Sequence, residues 1–221
     1  MSQGSKLLDK IMIDTTPGEI ILIGSRPNMG KTALALSIIH DIAKERQLPC
    51  LFITLETPLD QLSKRLDQMD VEADDKLVSG MFLPSSTIEQ IVSICANEET
   101  EIKVIVIDYL QLIHGTNDEA GKRRLLQALK QAAEKTQRTI YLLSQVERSA
   151  EAREDKRPTV EDIKDYDAIS EYITRTLFLY RDAYYNRVDE KINPAEIILP
   201  KGDGETDIRH LSFDRPGSCF F

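Results

Sequence analysis

Residues 20–32 read Ile20-Ile21-Leu22-Ile23-Gly24-Ser25-Arg26-Pro27-Asn28-Met29-Gly30-Lys31-Thr32, and Leu34, Ile38, Ile39 and Ile42 follow at helical spacing. Four aliphatic residues without alternation suit a strand covered on both faces, and the spacing after Thr32 puts an apolar stripe along one side of a helix. The tight loop between them closes on Gly30-Lys31-Thr32, the end of the phosphate-binding pattern G-x-x-x-x-G-K-[ST]. Ser25 stands at the pattern's first position, one residue after Gly24. Such a loop suits a polyphosphate because backbone N–H groups and the helix N-terminus surround the anion while a lysine neutralises its outer charges. Ser25, Arg26, Pro27, Asn28, Met29 and Gly30 are then the cradle, Lys31 meets the phosphates, and Thr32 offers its hydroxyl to Mg²⁺. The plainer alternative is a glycine turn before an ordinary helix. A strand before the loop and a helix after it favour the phosphate site.

Outward from this unit the same alternation repeats. Leu51-Phe52-Ile53-Thr54-Leu55 reads as a strand ending at Glu56, and Thr57-Pro58 supplies a cap and a first-turn proline for a helix carrying Leu59, Leu62, Leu66 and Met69. A short strand at Met81 to Leu83 precedes a Ser86/Glu89 capping box and a helix through Ile91 and Cys95. Val104-Ile105-Val106-Ile107 stops at Asp108, and a Thr116/Glu119 box opens a helix with Leu125, Leu126, Leu129, Ala132 and Ala133. A fourth buried strand, Ile140 to Leu143, runs into Ser144-Gln145. The polar, mixed-charge residues from Val146 to Pro158 read as a mobile loop or frayed helix. A short helix near Val160 to Ile169 and strands around Ile173 to Leu179, Ala195 to Leu199 and Ile208 to Phe213 complete the chain. This is the α/β class, a mostly parallel twisted sheet flanked by helices.

No repeat and no Gly/Ser- or Pro-rich linker divides the 221 residues, so one domain over 1–221 is expected, with 1–16 as a lead-in. Lys+Arg 28 against Asp+Glu 37 gives a net charge of -9, the wrong sign for a protein that coats nucleic acid without selectivity. Any nucleic-acid contact must be local. Cys50, Cys95 and Cys219 share no close spacing, and an odd count without C-x-x-C argues against a disulfide framework and a zinc site and points to a reduced, cytoplasmic setting. No apolar run reaches the roughly 18 to 20 residues of a membrane span, so no membrane partner is expected.

Asp108 places a carboxylate at the C-terminal end of a central strand, where open α/β sheets bind ligands and where Mg²⁺-dependent NTPases carry a metal carboxylate. Glu56 ends a second strand in the same way and is a candidate for activating water. As a lone feature it is equally a carboxylate favoured by a helix N-terminus. Four strings in order, Arg26 to Thr32, Leu51 to Glu56, Val106-Ile107-Asp108-Tyr109-Leu110-Gln111-Leu112 and Leu143-Ser144-Gln145, resemble the motifs of DnaB-type replicative helicases. The resemblance spans roughly residues 7 to 214 and continues through Arg148-Ser149, Asp155-Lys156-Arg157-Pro158 and Tyr180-Arg181-Asp182.

The resemblance implies a RecA-like ATPase core, assembled as a hexameric ring around single-stranded DNA, with ATP and Mg²⁺ as its ligands. Carried over residue by residue, Lys31 holds phosphates, Thr32 and Asp108 hold Mg²⁺ and Glu56 polarises the attacking water. Gln145 links the γ-phosphate to the DNA-facing loop, and Arg181 lies near the nucleotide. Arg148, Arg153, Lys156 and Arg157 fall in the segment read as DNA-facing, although Glu147, Glu151, Glu154 and Asp155 make a solvated mixed-charge loop an equal reading. The family's collar domain and linker helix have no recognisable counterpart in this sequence. Between Met69 and Val104 the chain is also shorter than the family pattern. The family's late Lys-x-Arg becomes Lys201-Gly202-Asp203, which predicts slow hydrolysis unless Arg209 or another basic residue substitutes. Three functions follow as expectations: a helicase-related ATPase acting on or near single-stranded DNA; an ATP-responsive regulator or loader that unwinds nothing; and, as the weakest, a small-molecule kinase on a P-loop scaffold, for which the sequence offers no identifiable acceptor pocket or lid.

Overall fold

The computed structural model describes residues 6–11, 15–69, 77–186, 192–201, 204–214 and 219–220. The strands are β1 (Ile20–Ser25), β2 (Cys50–Thr54), β3 (Val78–Phe82), β4 (Val104–Asp108), β5 (Thr139–Gln145), β6 (Arg175–Tyr180), β7 (Ile192–Pro200), β8 (Thr206–Asp214) and β9 (Cys219–Phe220). They form one sheet in the order β3-β2-β4-β5-β1-β6-β7-β8-β9. The first six in that order pair in parallel, and β7, β8 and β9 close one side as an antiparallel meander. Every residue of β1, β2 and β4 is buried, which is why their sequences are unbroken aliphatic runs rather than alternating ones.

The helices are α1 (Lys6–Ile11), α2 (Lys31–Arg46), α3 (Leu59–Met69), α4 (Ile88–Cys95), α5 (Glu119–Thr136), α6 (Tyr166–Ile169) and α7 (Ala183–Asn186). The spacing in α2 predicts one apolar side, but Ala33, Leu34, Ala35, Leu36, Ile38, Ile39, Ile42 and Ala43 are all buried. The helix is covered nearly all round because α1 lies against it with Leu7, Leu8 and Ile11, and β9 meets it through a Phe220 N–H bond to Ser37 Oγ of 3.0 Å. The lead-in thus contributes core side chains.

Local signals shift in four places, and the strand expected at Met81 to Leu83 is β3, which starts three residues earlier at Val78 and ends at Phe82. The cap of α4 is Thr87 in a box with Gln90, and the cap of α5 is Asp118, whose carboxylate accepts from Gly121 N at 2.8 Å. Ser86 and Thr116 are buried and donate backwards to carbonyls, Ser86 Oγ to Leu83 O and Thr116 Oγ1 to Leu110 O and Ile113 O. The helix expected over 160–169 is a single tight turn at Val160–Asp162 followed by α6, interrupted at Asp165 with φ 62. Asp203, on which the expectation of slow hydrolysis rests, lies outside the described residues. No helix among the described residues is long and apolar enough to cross a membrane.

Candidate functional site

The register aligns the C-terminal ends of the parallel strands along one edge: Thr54 lies beside Asp108, and Ser25 beside Gln145. After β1 the chain turns through Asn28 at φ 63 and Gly30 at φ 98 into α2. Gly30 needs that left-handed backbone, and a Cβ there would also meet Phe220 at 3.2 Å. The helix that follows has no side-chain cap from Gly30 and no acidic residue in its first turn. Its first residues, Lys31, Thr32 and Ala33, line the cavity, so an uncapped helix start and the positive end of its dipole border the space in the form that suits an anion.

Lys31 and Asp108 share that cavity. The Lys31 ammonium sits 4.5 Å from the centre of the Tyr109 ring. Burial pulls its pKa down to about 8, against the opposing attraction of Asp108 and Glu56. Desolvation raises the Asp108 carboxyl, countered by Lys31 and by a 2.7 Å hydrogen bond from Thr32 Oγ1 to Oδ2. Its Oδ1 is buried with no hydrogen-bond partner. Glu56 stands two residues past β2 on a turn fixed by Thr54, whose buried hydroxyl donates to Thr57 O at 3.0 Å and accepts from Thr57 N at 2.9 Å. Leu55 N bonds Asp108 O at 2.8 Å, so the two acid-bearing turns are joined through their backbones.

The cavity, about 710 Å³, is lined by Ser25, Arg26, Pro27, Asn28, Gly30, Lys31, Thr32, Glu56, Asp108, Gln145 and Arg181 among others. Met29 is buried beneath the loop, and its carbonyl accepts from Arg181 Nη1 at 3.3 Å. The Arg181 guanidinium lies 4.0 Å from the Phe213 ring centre. Gln61, Arg65, Tyr109 and Phe213 also line the space, and sequence reasoning missed all four as site residues. Gln61 and Arg65 stand four apart on the helix just after Glu56, the one local signal available. Gln111 was missed too: its amide takes Gln145 N at 3.0 Å and donates to Ser144 Oγ at 2.9 Å and to Gln145 O at 3.2 Å. It clamps the end of β5 that presents Gln145.

The basic residues after β5 do not stand together as one free cluster. Arg153 is held bidentate on Asp162 at 2.7 and 2.6 Å, and Arg157 on Glu196 at 2.6 and 2.8 Å. Lys156 lies 4.9 Å from the Tyr185 ring centre, and the Arg148 side chain is 88% exposed with Nε 3.7 Å from Glu151. The segment expected as a mobile loop or frayed helix forms a short 3-10 turn at Arg148–Ala152 and is braced by these pairs. Arg153 and Arg157 are fastened in bidentate pairs to carboxylates of the same chain, and Arg148 faces Glu151 in a looser one.

The model of the DnaB-like helicase C-terminal domain matches residues 1–96 and 81–220. The replicative DNA helicase DnaB of Geobacillus stearothermophilus is 30% identical over 226 residues, 88% of this chain and 50% of that protein. A probable replicative DNA helicase of Trieres chinensis is 31% identical over 258 residues, all of this chain and 57% of that protein. The chain spans about half the length of the curated relatives it matches. Among solved structures, that of a DnaB-like replicative helicase and its interactions with primase superposes with a TM-score of 0.79 at 25% identity, covering 93% of this chain and 57% of that one. A second solved structure, an isolated ATPase domain, shares the fold with a TM-score of 0.83 at 24% identity, over 99% of this chain and 89% of that one. The sheet is therefore that of a RecA-like ATPase domain, and the chain belongs to the DnaB-like helicase C-terminal domain family.

Proposed function

We propose that the chain binds ATP with Mg²⁺ and hydrolyses it as a replicative-helicase-type motor domain acting on or near single-stranded DNA. The observation that carries this is the Thr32–Asp108 hydrogen bond, set beside buried Lys31 at the uncapped start of α2. The site fits a hard cation: the donors are oxygens, and the buried Asp108 Oδ1 lacks a partner. Thr32 and Asp108 would hold Mg²⁺, which when bound neutralises phosphate charge. Lys31 binds the outer phosphates, and its charge counts for more in a desolvated pocket. Arg181 braces the loop through Met29 O. Glu56 orients the water that attacks the γ-phosphorus, and the bond to the oxygen that leaves with ADP breaks. Gln145, clamped by Gln111, is placed to sense the γ-phosphate. Arg148 and Lys156 are the two candidates for nucleic-acid phosphates, while Arg153 and Arg157 brace the segment that carries them.

Glu56→Gln keeps the shape of the side chain and loses its charge. We expect phosphate release from ATP to fall about 10²- to 10³-fold with nucleotide affinity retained. Release at the wild-type rate would remove Glu56 from the mechanism. The regulator reading is favoured by one feature, the acidic Asp203 where the family carries its arginine. Arg209 stands on the neighbouring strand but is paired to Asp207 at 2.6 Å, and such arginines contribute about 10³ to 10⁵ in rate. Strand displacement by the purified chain separates the two: ATP-dependent unwinding excludes the regulator. A hexameric ring is likewise proposed, tested by solution mass with and without ATP, Mg²⁺ and single-stranded DNA.

A further inference from the structure

Arg26 belongs to the phosphate loop, yet its guanidinium is committed to the segment after β5. Nη1 donates to Val146 O at 2.7 Å and Nε to Glu151 Oε1 at 3.0 Å. The two side chains are only 11% and 28% exposed, so the pair is less screened than an ordinary surface ion pair. The second oxygen of Glu151 faces Arg148 Nε at 3.7 Å, and Arg148 is almost fully in solvent. One carboxylate thus serves two guanidiniums, one behind the triphosphate site and one on the outer surface.

The segment that carries Glu151 is a frame. Glu147 N bonds Asp162 O at 2.8 Å, the Arg153 fork closes on Asp162, and the Arg157 fork ties it to Glu196 of β7. Bidentate guanidinium–carboxylate pairs fix geometry as well as supplying energy. A displacement of the frame therefore reaches Arg26 through Glu151 and Val146.

We propose that Glu151 is a positioning residue that couples nucleic-acid engagement to the grip of the phosphate loop, an inference that rests on the nucleotide and single-stranded DNA reading above. A nucleic-acid phosphate that captures Arg148 takes over as its counter-ion and leaves Glu151 wholly to Arg26. The loop is then held more firmly around the triphosphate. Linkage makes the effect reciprocal: nucleotide strengthens nucleic-acid binding by the same factor.

The test is the dissociation constant of a non-hydrolysable ATP analogue with Mg²⁺, measured with and without a saturating single-stranded oligonucleotide. Wild type should tighten by about two- to fivefold, the most that releasing one solvent-exposed ion pair can supply. Glu151→Gln, whose amide oxygen can still accept from Arg26, should lose the tightening, and Glu151→Ala should lose it as well and bind the analogue more weakly without the oligonucleotide. A purely structural role would lower thermal stability or basal affinity without abolishing the ratio. Retention of the full wild-type ratio in E151Q overturns the proposal. Wild type that binds both ligands with a ratio of one overturns the coupling alone, whereas failure to bind either ligand overturns the underlying functional reading with it.

Discussion

Arg138 shows how far a single side chain can organise its surroundings. It is 2% exposed. Its guanidinium donates to Cys95 O, Ile102 O, Asn97 O, Thr100 O and Thr100 Oγ1 at distances between 2.6 and 3.0 Å. These acceptors end α4 and lead into β4, so one side chain satisfies carbonyls at and beyond the helix terminus. Arg138→Met keeps much of the volume and leaves several buried carbonyls without donors. Equilibrium unfolding in denaturant should show a loss of about 3 kcal/mol; a change below about 1 kcal/mol would show that water replaces the guanidinium. Nothing local in Gln137-Arg138-Thr139 announces this role, because its partners lie 36 to 43 residues away in the chain. Lys31, Thr32 and Asp108 were legible for the opposite reason: a local motif fixes the first two, and an apolar run ending in aspartate points to the third.

At the scale of elements, continuous aliphatic runs gave away the central strands, while the caps slipped by one or two residues. Ser86-Thr87 and Thr116 to Asp118 each offer several capping side chains. Burial settles the choice, turning Ser86 and Thr116 inward and leaving Thr87 and Asp118 for the helices. The segment after β5 was harder still, since its order depends on Asp162 and on Glu196, neither within its own sequence. Close approach of elements yields a test of opposite sign to propensity. Gly121 lies inside α5, where alanine ordinarily stabilises a helix by about 0.5 to 1 kcal/mol. A Cβ at this position would fall 1.7 Å from Gly115 O, so the loop and α5 would have to part. Gly121→Ala should destabilise by about 1 to 3 kcal/mol, read as a lowered thermal midpoint; a raised midpoint would contradict the packing described.

Across the whole molecule, one sheet edge collects what the sequence scatters over more than 150 residues. Lys31 and Thr32 follow β1, Glu56 follows β2, Asp108 ends β4, Gln145 ends β5 and Arg181 follows β6. Parallel pairing alone brings those strand ends together, since helices return the chain to the far edge each time. The residues that sequence reading missed, Arg65 and Phe213 among them, arrive from a helix and from the antiparallel meander, whose placement over the cavity no local pattern encodes.

That edge is the proposed triphosphate site. Its most direct test is equilibrium titration of the chain with a non-hydrolysable ATP analogue and Mg²⁺, repeated with Lys31→Ala. Removing a desolvated, charge-assisted contact of about 1.5 to 3 kcal/mol should weaken binding roughly 10- to 100-fold. Equal affinity in wild type and K31A would contradict it.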